Sequence, residues 1–199
     1  VIAGLRDHDG SQPSLDVAAV ELINLLRPIV AVARYLAFCG HALERHPDWR
    51  ERLRTDASAR NRFAQEVRRF YPFFPAIAGT VRRGFAWRGH EFEAGTRVVL
   101  DLYATNHDER SWTHPGRFDP ERFATWVYDP DTLVPQGGGD AATGHRCPGE
   151  GATVALMERF LEWAAAEPAA YTVPPQDLRI SLRRIPALPE DRMLITLRD

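Results

Sequence analysis

Residues 137–150 read Gly-Gly-Gly-Asp-Ala-Ala-Thr-Gly-His-Arg-Cys-Pro-Gly-Glu, a glycine-rich loop that carries one cysteine to the start of a predicted helix. Glycines let a backbone approach a large flat group closely, and Pro148 favours the first turn of a helix. Amide hydrogens at a helix start can donate to the sulfur of Cys147, which suits either a nucleophile or an anionic metal ligand. A lone cysteine is more often a small buried side chain, but the glycines and Pro148 favour a functional site here.

The chain before this loop is predicted to be mainly helical. Apolar residues at three- and four-residue spacing predict a long helix from residue 15 to about 44. A short helix is expected over Asp48–Arg54 and a third helix over Ala57–Phe70. The apolar run Val17–Leu43 is long enough to cross a bilayer, but it contains charged residues and a proline. It therefore indicates a buried helix, with no membrane span.

From residue 80 onward the hydrophobic period changes to two. Alternating apolar residues around two Gly-containing turns predict a small antiparallel sheet: Phe85, Trp87, Val98, Leu100 and Leu102. Residues 106–139 have no sustained period, and a loop of this length is usually functional. Pro148 is expected to open a helix that ends near Ala166. The tail from Tyr171 alternates weakly, which predicts short strands through residues 178–182 and 193–197.

Composition excludes some partners. The 199 residues carry 25 basic side chains, all arginine, against 27 acidic ones, for a formal net charge of -2. No strong field would draw this chain to nucleic acid or to anionic lipid. Two cysteines far apart in the sequence give no disulfide framework, and no targeting segment is visible, so a cytoplasmic protein is expected. The use of arginine without lysine is attributed to a GC-rich genome, and a bacterial protein is expected. Because the chain starts at Val1, we expect a fragment of something longer.

Two further motifs precede the cysteine loop. Glu66 and Arg69 are three residues apart on one predicted helix, and Phe118–Phe123 reads Phe-Asp-Pro-Glu-Arg-Phe. Taken alone, the first is usually a solvated ion pair. Taken in order, the E-x-x-R, P-E-R-F and H-x-C-x-G motifs resemble the C-terminal half of a cytochrome P450, a haem-thiolate enzyme. The resemblance covers nearly the whole chain.

This resemblance implies a fold and a cofactor. The fold would be mainly α with small antiparallel β-sheets, and residues 1–199 would form the C-terminal haem-binding part of a single domain whose N-terminal half is absent. Cys147 would be the metal ligand to the iron of haem b. The resemblance also implies that Glu66, Arg69 and Arg122 form a buried ion cluster bracing the loop. His145 would either meet a haem propionate or act as a loop residue bonding nearby backbone.

The loop departs from the usual family pattern. Typical members place an aromatic residue and a glycine where Asp140 and Thr143 stand. Gln136 followed by three glycines instead resembles the bacterial fatty-acid peroxygenase branch. Three other segments are similar to that branch: Glu21–Ala31, Val67–Phe73 and Leu100–Asp108.

The long helix carries an unusual pair, Arg27 and Pro28. Oxygen-activating members of the family have an acid beside a threonine in this helix, whereas residues 25–33 contain neither carboxylate nor hydroxyl. Pro28 cannot donate to the carbonyl of Asn24, so we expect the helix to kink or open there. Arg27 lies among apolar residues and needs an anion. An internal acid or solvent could serve, but the branch resemblance implies that Arg27 and Pro28 bind a fatty acid through its carboxylate.

The function implied by the resemblance is a haem-thiolate peroxygenase. It would use hydrogen peroxide to hydroxylate long-chain fatty acids at the alpha or beta carbon, with the carboxylate held by Arg27 acting as general base and acid. No reductase is then required. Two alternatives stay open: a monooxygenase that depends on a reductase, and a non-catalytic haem-binding protein or inactive fragment.

Overall fold

The structure is a computed structural model that describes residue 4 and residues 6–198. Its described part contains five α-helices: α1 (Leu15–Arg45), α2 (Arg50–Thr55), α3 (Ala57–Phe70), α4 (Leu102–Asn106) and α5 (Glu150–Ala164). Short 3-10 helices span Pro47–Trp49 and Pro120–Ala124. The described part also contains six strands, numbered in chain order: β1 (Ala76–Thr80), β2 (Phe85–Trp87), β3 (His90–Phe92), β4 (Arg97–Asp101), β5 (Tyr171–Thr172) and β6 (Thr196–Leu197). The predicted class, mainly α with small antiparallel sheets, is confirmed.

The long first helix has two different halves. Ser14 caps α1 by accepting a hydrogen bond of 3.3 Å from the amide of Val17. The helix then continues through Pro28. Of the two outcomes expected at Pro28, a kink or an opening, the opening is not present. Its large apolar side chains are exposed up to Val30, and its buried residues lie between Tyr35 and Leu43. Only the C-terminal half of α1 therefore packs into the core, and the interpretation of Val17–Leu43 as a buried helix is wrong for its first half.

The core lies between the C-terminal half of α1, α3 and α5. Phe38 of α1 stacks on Tyr71 with ring centroids 4.9 Å apart. Phe63 of α3, and Met157 and Leu161 of α5, have no exposed surface. Each such side chain stabilises the fold by roughly 1.5–3 kcal/mol relative to leaving it in water. This packing fixes the positions of α3 and α5, and the cysteine loop leads directly into α5.

The strands form three separate antiparallel pairs. β1 pairs with β4, with Ala76 opposite Asp101, and β2 pairs with β3. The predicted small sheet is therefore present as two two-stranded ladders, one of which uses the unpredicted strand β1. β4 ends at Asp101, because the Asp101 carboxylate accepts a 2.7 Å hydrogen bond from the amide of Ala104 and so caps α4. The prediction that Leu102 belongs to the strand is wrong for this reason.

Two boundaries after the loop also differ from prediction. α5 begins at Glu150, because the amide of Glu150 donates to the carbonyl of Cys147 at 3.2 Å and closes a turn before the helix. In the tail, β5 pairs with β6, whereas residues 178–182 contribute only a single bridge between Ile180 and Pro189. Arg192 and Met193 have positive φ angles of 63° and 61°, which a strand does not allow.

None of the helices in the described ranges combines the length and the apolar content that crossing a bilayer requires.

Candidate functional site

The cysteine loop is a tight, internally bonded structure. The amide of Cys147 donates to the carbonyl of Gln136 at 2.9 Å, and the amide of His145 donates to the carbonyl of Gly138 at 3.2 Å. Gly137 has φ +93°, and a Cβ placed there would lie 2.0 Å from the carbonyl oxygen of His145. Only glycine fits this position. The backbone at 136–138 is thereby held against the backbone at 145–147.

The two cysteines differ in environment. Cys147 is a free thiol with intermediate exposure, and Cys39 is a free thiol with no exposed surface. Burial raises the pKa of the Cys39 thiol well above its usual range. Cys39 is therefore an inert core residue, and Cys147 is the cysteine that can reach a ligand.

The structure brings Glu66, Arg69 and Arg122 into contact. Arg69 donates to both Glu66 carboxylate oxygens, at 2.7 and 2.8 Å, and Arg122 donates to Oε2 at 3.1 Å. The backbone amide of Asp119 adds a fourth hydrogen bond, of 2.8 Å, to Oε1. Glu66 and Arg69 are fully buried. A buried carboxylate with this many donors is held in one geometry.

Asn106 connects this ion cluster to the cysteine loop. Arg69 donates to the backbone carbonyl of Asn106 at 2.9 Å. The side-chain oxygen of Asn106 accepts a hydrogen bond of 2.9 Å from the amide of Val134, three residues before Gly137. Asn106 itself is buried. The cluster on α3 therefore positions the first residues of the loop through a single polar side chain.

Arg68 supports the loop from a second direction, and the sequence interpretation missed it. The fully buried Arg68 donates through Nε to the side-chain oxygen of Gln136 at 3.1 Å. Gln136 in turn donates to the hydroxyl of Thr153 on α5 at 3.3 Å. Nη2 of Arg68 forms an ion pair with Glu150 at 2.9 Å, although the two groups are not aligned as a hydrogen bond.

Arg146, the residue before the cysteine, was also missed. Its buried guanidinium donates to the carbonyls of Pro130, Leu133 and Gly139 at 2.9, 3.0 and 3.0 Å. Nη1 of Arg146 reaches both carboxylate oxygens of Glu150, at 2.9 and 2.8 Å. A spacing of four residues between Arg146 and Glu150 was a visible signal for such a pair. We call Arg68, Gln136, Arg146 and Glu150 the loop network.

A buried tyrosine ties α1 to the same loop. The hydroxyl of Tyr35 donates to the carbonyl of Pro135 at 3.1 Å, and its ring lies 4.6 Å from that of Phe73. Burial raises the pKa of Tyr35 above its usual range; Arg68 opposes this rise, and the charges of Glu150 and Cys147 add to it. The hydroxyl of Tyr35 therefore fixes α1 to the start of the cysteine loop.

The remaining candidate residues, Arg27, Pro28 and His145, have exposed side chains. Arg27 and Pro28 lie in the exposed half of α1, so the expectation that Arg27 is enclosed by apolar side chains is not met within this chain. Within the part of the chain that the structure describes, no carboxylate pairs with Arg27. The side chain of His145 is exposed, and the hydrogen bond to nearby backbone comes from its amide.

His107 lies beside the ion cluster. Its Nδ1 donates to the carbonyl of Tyr103 at 2.9 Å, and its Nε2 is buried with no partner. The pKa of His107 is lowered to about 4, mainly by burial and also by the positive charges of Arg69 and Arg122, while the hydrogen bond to Tyr103 opposes this change. The ring is therefore neutral at physiological pH, and it serves as a packing and turn residue.

The chemistry of the donor set fits a haem iron. Across residues 6–198 no group of three or more histidine, cysteine, aspartate or glutamate side chains is placed to hold a metal ion. Cys147 offers one sulfur donor on a rigid loop, which suits an iron whose equatorial ligands come from a macrocycle. The exposed apolar half of α1 offers surface of the kind that a flat apolar cofactor and its substrate require.

Comparison with known sequences gives the family. The cytochrome P450 family profile matches residues 45–163. A putative cytochrome P450 137 from Mycobacterium tuberculosis is 30% identical over 145 residues, which are 70% of this chain and 30% of that protein. Human cytochrome P450 3A5 is 26% identical over 128 residues, which are 55% of this chain and 26% of that protein.

Solved structures are more similar. Cytochrome P450SP alpha (CYP152B1) in complex with (R)-ibuprofen has a TM-score of 0.84 and 45% identity, covering 98% of this chain and 47% of that one. An OleT variant in complex with arachidonic acid gives 0.83 and 38%, covering 98% and 46%. Cytochrome P450EX alpha (CYP152N1) with myristic acid gives 0.82 and 43%, covering 99% and 49%. The chain thus spans about half the length of these structures, and the predicted resemblance to the fatty-acid peroxygenase branch is confirmed.

Proposed function

The chain belongs to the cytochrome P450 family, and on that premise we propose that the protein is a haem-thiolate peroxygenase, which hydroxylates long-chain fatty acids with hydrogen peroxide. Cys147 would hold the iron of haem b, and His145 would lie near a propionate. Bound haem supplies the oxidation of a substrate C–H bond at the expense of peroxide. The residues of this chain bind the acid, orient it and place its charge.

The observation that carries the proposal is Arg27, a cation without an acidic partner in the described part of the chain. A fatty-acid carboxylate can pair with both arms of its guanidinium. Ile23 and Val30 lie four and three residues away, on the same face of α1, and both are exposed. The apolar face beside Arg27 is therefore suited to an alkyl chain. The three similar structures named above were each solved with a carboxylic acid.

The composition of α1 around Arg27 supports the same reaction. Residues 25–33 of α1 contain no carboxylate or hydroxyl. The carboxylate held by Arg27 is then the group that accepts a proton from hydrogen peroxide and later returns it. Because Arg27 fixes the acid end, the carbons nearest the carboxylate are oriented for reaction, which favours the alpha or beta position.

The test is product analysis with the protein at its full natural length. Purified haem-loaded enzyme is mixed with myristic acid and hydrogen peroxide, with no reductase or nicotinamide, and the products are identified by mass spectrometry. We expect 2- or 3-hydroxy acids. Oxidation that needs a reductase and NAD(P)H would overturn the peroxygenase assignment in favour of a monooxygenase, and no oxidation under either condition would favour a non-catalytic haem protein.

A further inference from the structure

The charges of the loop network do not balance. Arg68 and Arg146 are both buried cations, with 1% and 7% of their side chains exposed. Both contact the same carboxylate, that of Glu150, and no other carboxylate in the described part of the chain contacts either. Two positive charges thus share one negative charge. A buried surplus charge is costly unless an anion lies close to it.

The cysteine loop places Cys147 next to this charged group in the chain. Cys147 is bonded directly to Arg146, and its amide donates to the carbonyl of Gln136, the residue whose side chain holds Arg68. Tyr35 also responds to the charges of Arg68, Glu150 and Cys147 together, so these groups lie within electrostatic reach of one hydroxyl. Cys147 therefore lies beside a buried group with a surplus positive charge.

The hydrogen bonds of Arg146 determine where that sulfur sits. Its guanidinium joins the backbone before the loop, at Pro130 and Leu133, to Gly139 inside the loop and to Glu150 on α5. Lysine cannot reproduce such a set, because an ammonium lacks the planar fork of five donors. Residues of this kind, behind a metal ligand, orient the ligand and tune the metal.

We propose that Arg68, Arg146 and Glu150 are positioning residues for Cys147: Arg146 fixes the loop, and the surplus positive charge of the group sets the electron-donating strength of the sulfur toward iron. The inference rests on the proposed function only for the identity of the metal partner. It predicts that removing an anion and removing a cation from the loop network shift the reduction potential of the iron in opposite directions.

The experiment measures the Fe(III)/Fe(II) midpoint potential of the haem-loaded, full-length protein. Glu150→Gln removes the only carboxylate and should shift the potential to a more positive value, whereas Arg68→Gln removes a cation and should shift it to a more negative value. The matched control is Glu162→Gln, which removes the carboxylate of a largely exposed ion pair with Arg159 on the same helix and should leave the potential unchanged. Shifts in Glu150→Gln and Arg68→Gln that have the same sign, or that are no larger than that of the control, would overturn the charge argument.

Arg146→Lys tests positioning, because it keeps the charge. We expect this variant to bind haem but to show the absorption spectrum of the sulfur-ligated carbon monoxide complex in only a fraction of the molecules. A spectrum identical to that of the wild type would overturn the positioning role. Failure of the proposed function is distinguishable: wild-type protein that makes no hydroxy acid can still show sulfur ligation and the two opposite potential shifts.

Discussion

Glu66 and Arg122 lie 56 residues apart in the sequence, and the structure joins them at 3.1 Å inside the protein. The carboxylate of Glu66 is fully buried, and it also accepts two hydrogen bonds from Arg69. The contact connects α3 to the segment around the second 3-10 helix. Through Asn106, the same cluster reaches the start of the cysteine loop.

The first prediction concerns this ion cluster. Glu66→Gln leaves Arg69 and Arg122 without their carboxylate, and breaking a buried pair in this way costs about 3–5 kcal/mol. We expect a decrease of that size in the free energy of unfolding, measured by urea denaturation of the full-length protein. The control is Glu51→Gln, in an exposed pair with Arg54, which should cost less than about 1 kcal/mol. Equal effects of the two substitutions would contradict the assigned role of the cluster.

The second prediction concerns Gly137. Gly137→Ala would place a methyl group against the carbonyl of His145 in a backbone conformation with positive φ, so the loop must open. We expect a large loss of haem retention during gel filtration. Gly89→Ala, in the turn between β2 and β3, has a similar φ of +80° but open space around the new Cβ, and should cost only about 1 kcal/mol with no haem loss. Normal haem retention in Gly137→Ala would show that the loop is less tightly built than described.

The third prediction concerns the pH dependence of stability. His107 has a pKa lowered to about 4 in the folded protein, against 6.5 as its ordinary value. The unfolded chain therefore binds more protons between these values, and stability is lost as the pH falls from about 6.5 toward 4. His107→Asn keeps a donor for the carbonyl of Tyr103 and cannot titrate, so its urea midpoint should fall less steeply over this range. His90→Asn, at an exposed position in β3, should retain the wild-type slope, and a wild-type slope in His107→Asn would refute the prediction.

The fourth prediction concerns Arg27. Arg27→Ala should lower kcat/KM for peroxide-driven oxidation of myristic acid by roughly 10- to 100-fold, because a hydrogen bond to a charged group contributes about 1.5–3 kcal/mol. Arg27→Lys keeps the charge but not the paired donors, and should fall between Arg27→Ala and the wild type. Steady-state kinetics with the full-length enzyme provide the measurement. Wild-type activity in Arg27→Ala would exclude the carboxylate role.

Sequence patterns predicted the long elements and the residues with local signals. The helices over residues 15–45 and 57–70 were predicted to within about one residue, because each has a strong apolar period and a clear end. The end of β4 was misplaced because it depends on the Asp101 cap, a hydrogen bond that alternation does not encode. The tail strands were predicted only in part: β5 and β6 lie within the tail in which short strands were predicted, but Arg192 and Met193 turn the chain with positive φ, which neither residue type signals.

The candidate site was predictable where motifs carry it and not where tertiary contacts do. Cys147, Glu66, Arg69 and Arg122 stand in recognisable patterns. Arg68 stands in no such pattern, and the sequence does not show that it contacts the cysteine loop while its neighbour Arg69 contacts the ion cluster. Which side chain faces which partner follows from the rotation of α3 in the core, and that is a property of packing.

Arg27 and Tyr35 belong to one continuous helix, α1, so the position of one determines the position of the other. The hydroxyl of Tyr35 is bonded to Pro135, and Tyr35 lies eight positions after Arg27 in the helix, a rise of about 12 Å. Because Tyr35 is fixed in the core, the helix also fixes the height and the direction of the Arg27 guanidinium. Inserting one residue between them would rotate Arg27 by about 100° about the helix axis and aim it away from any guest. The direction of the Arg27 side chain therefore depends on the number of residues between Arg27 and Tyr35, and not on which side chains they carry.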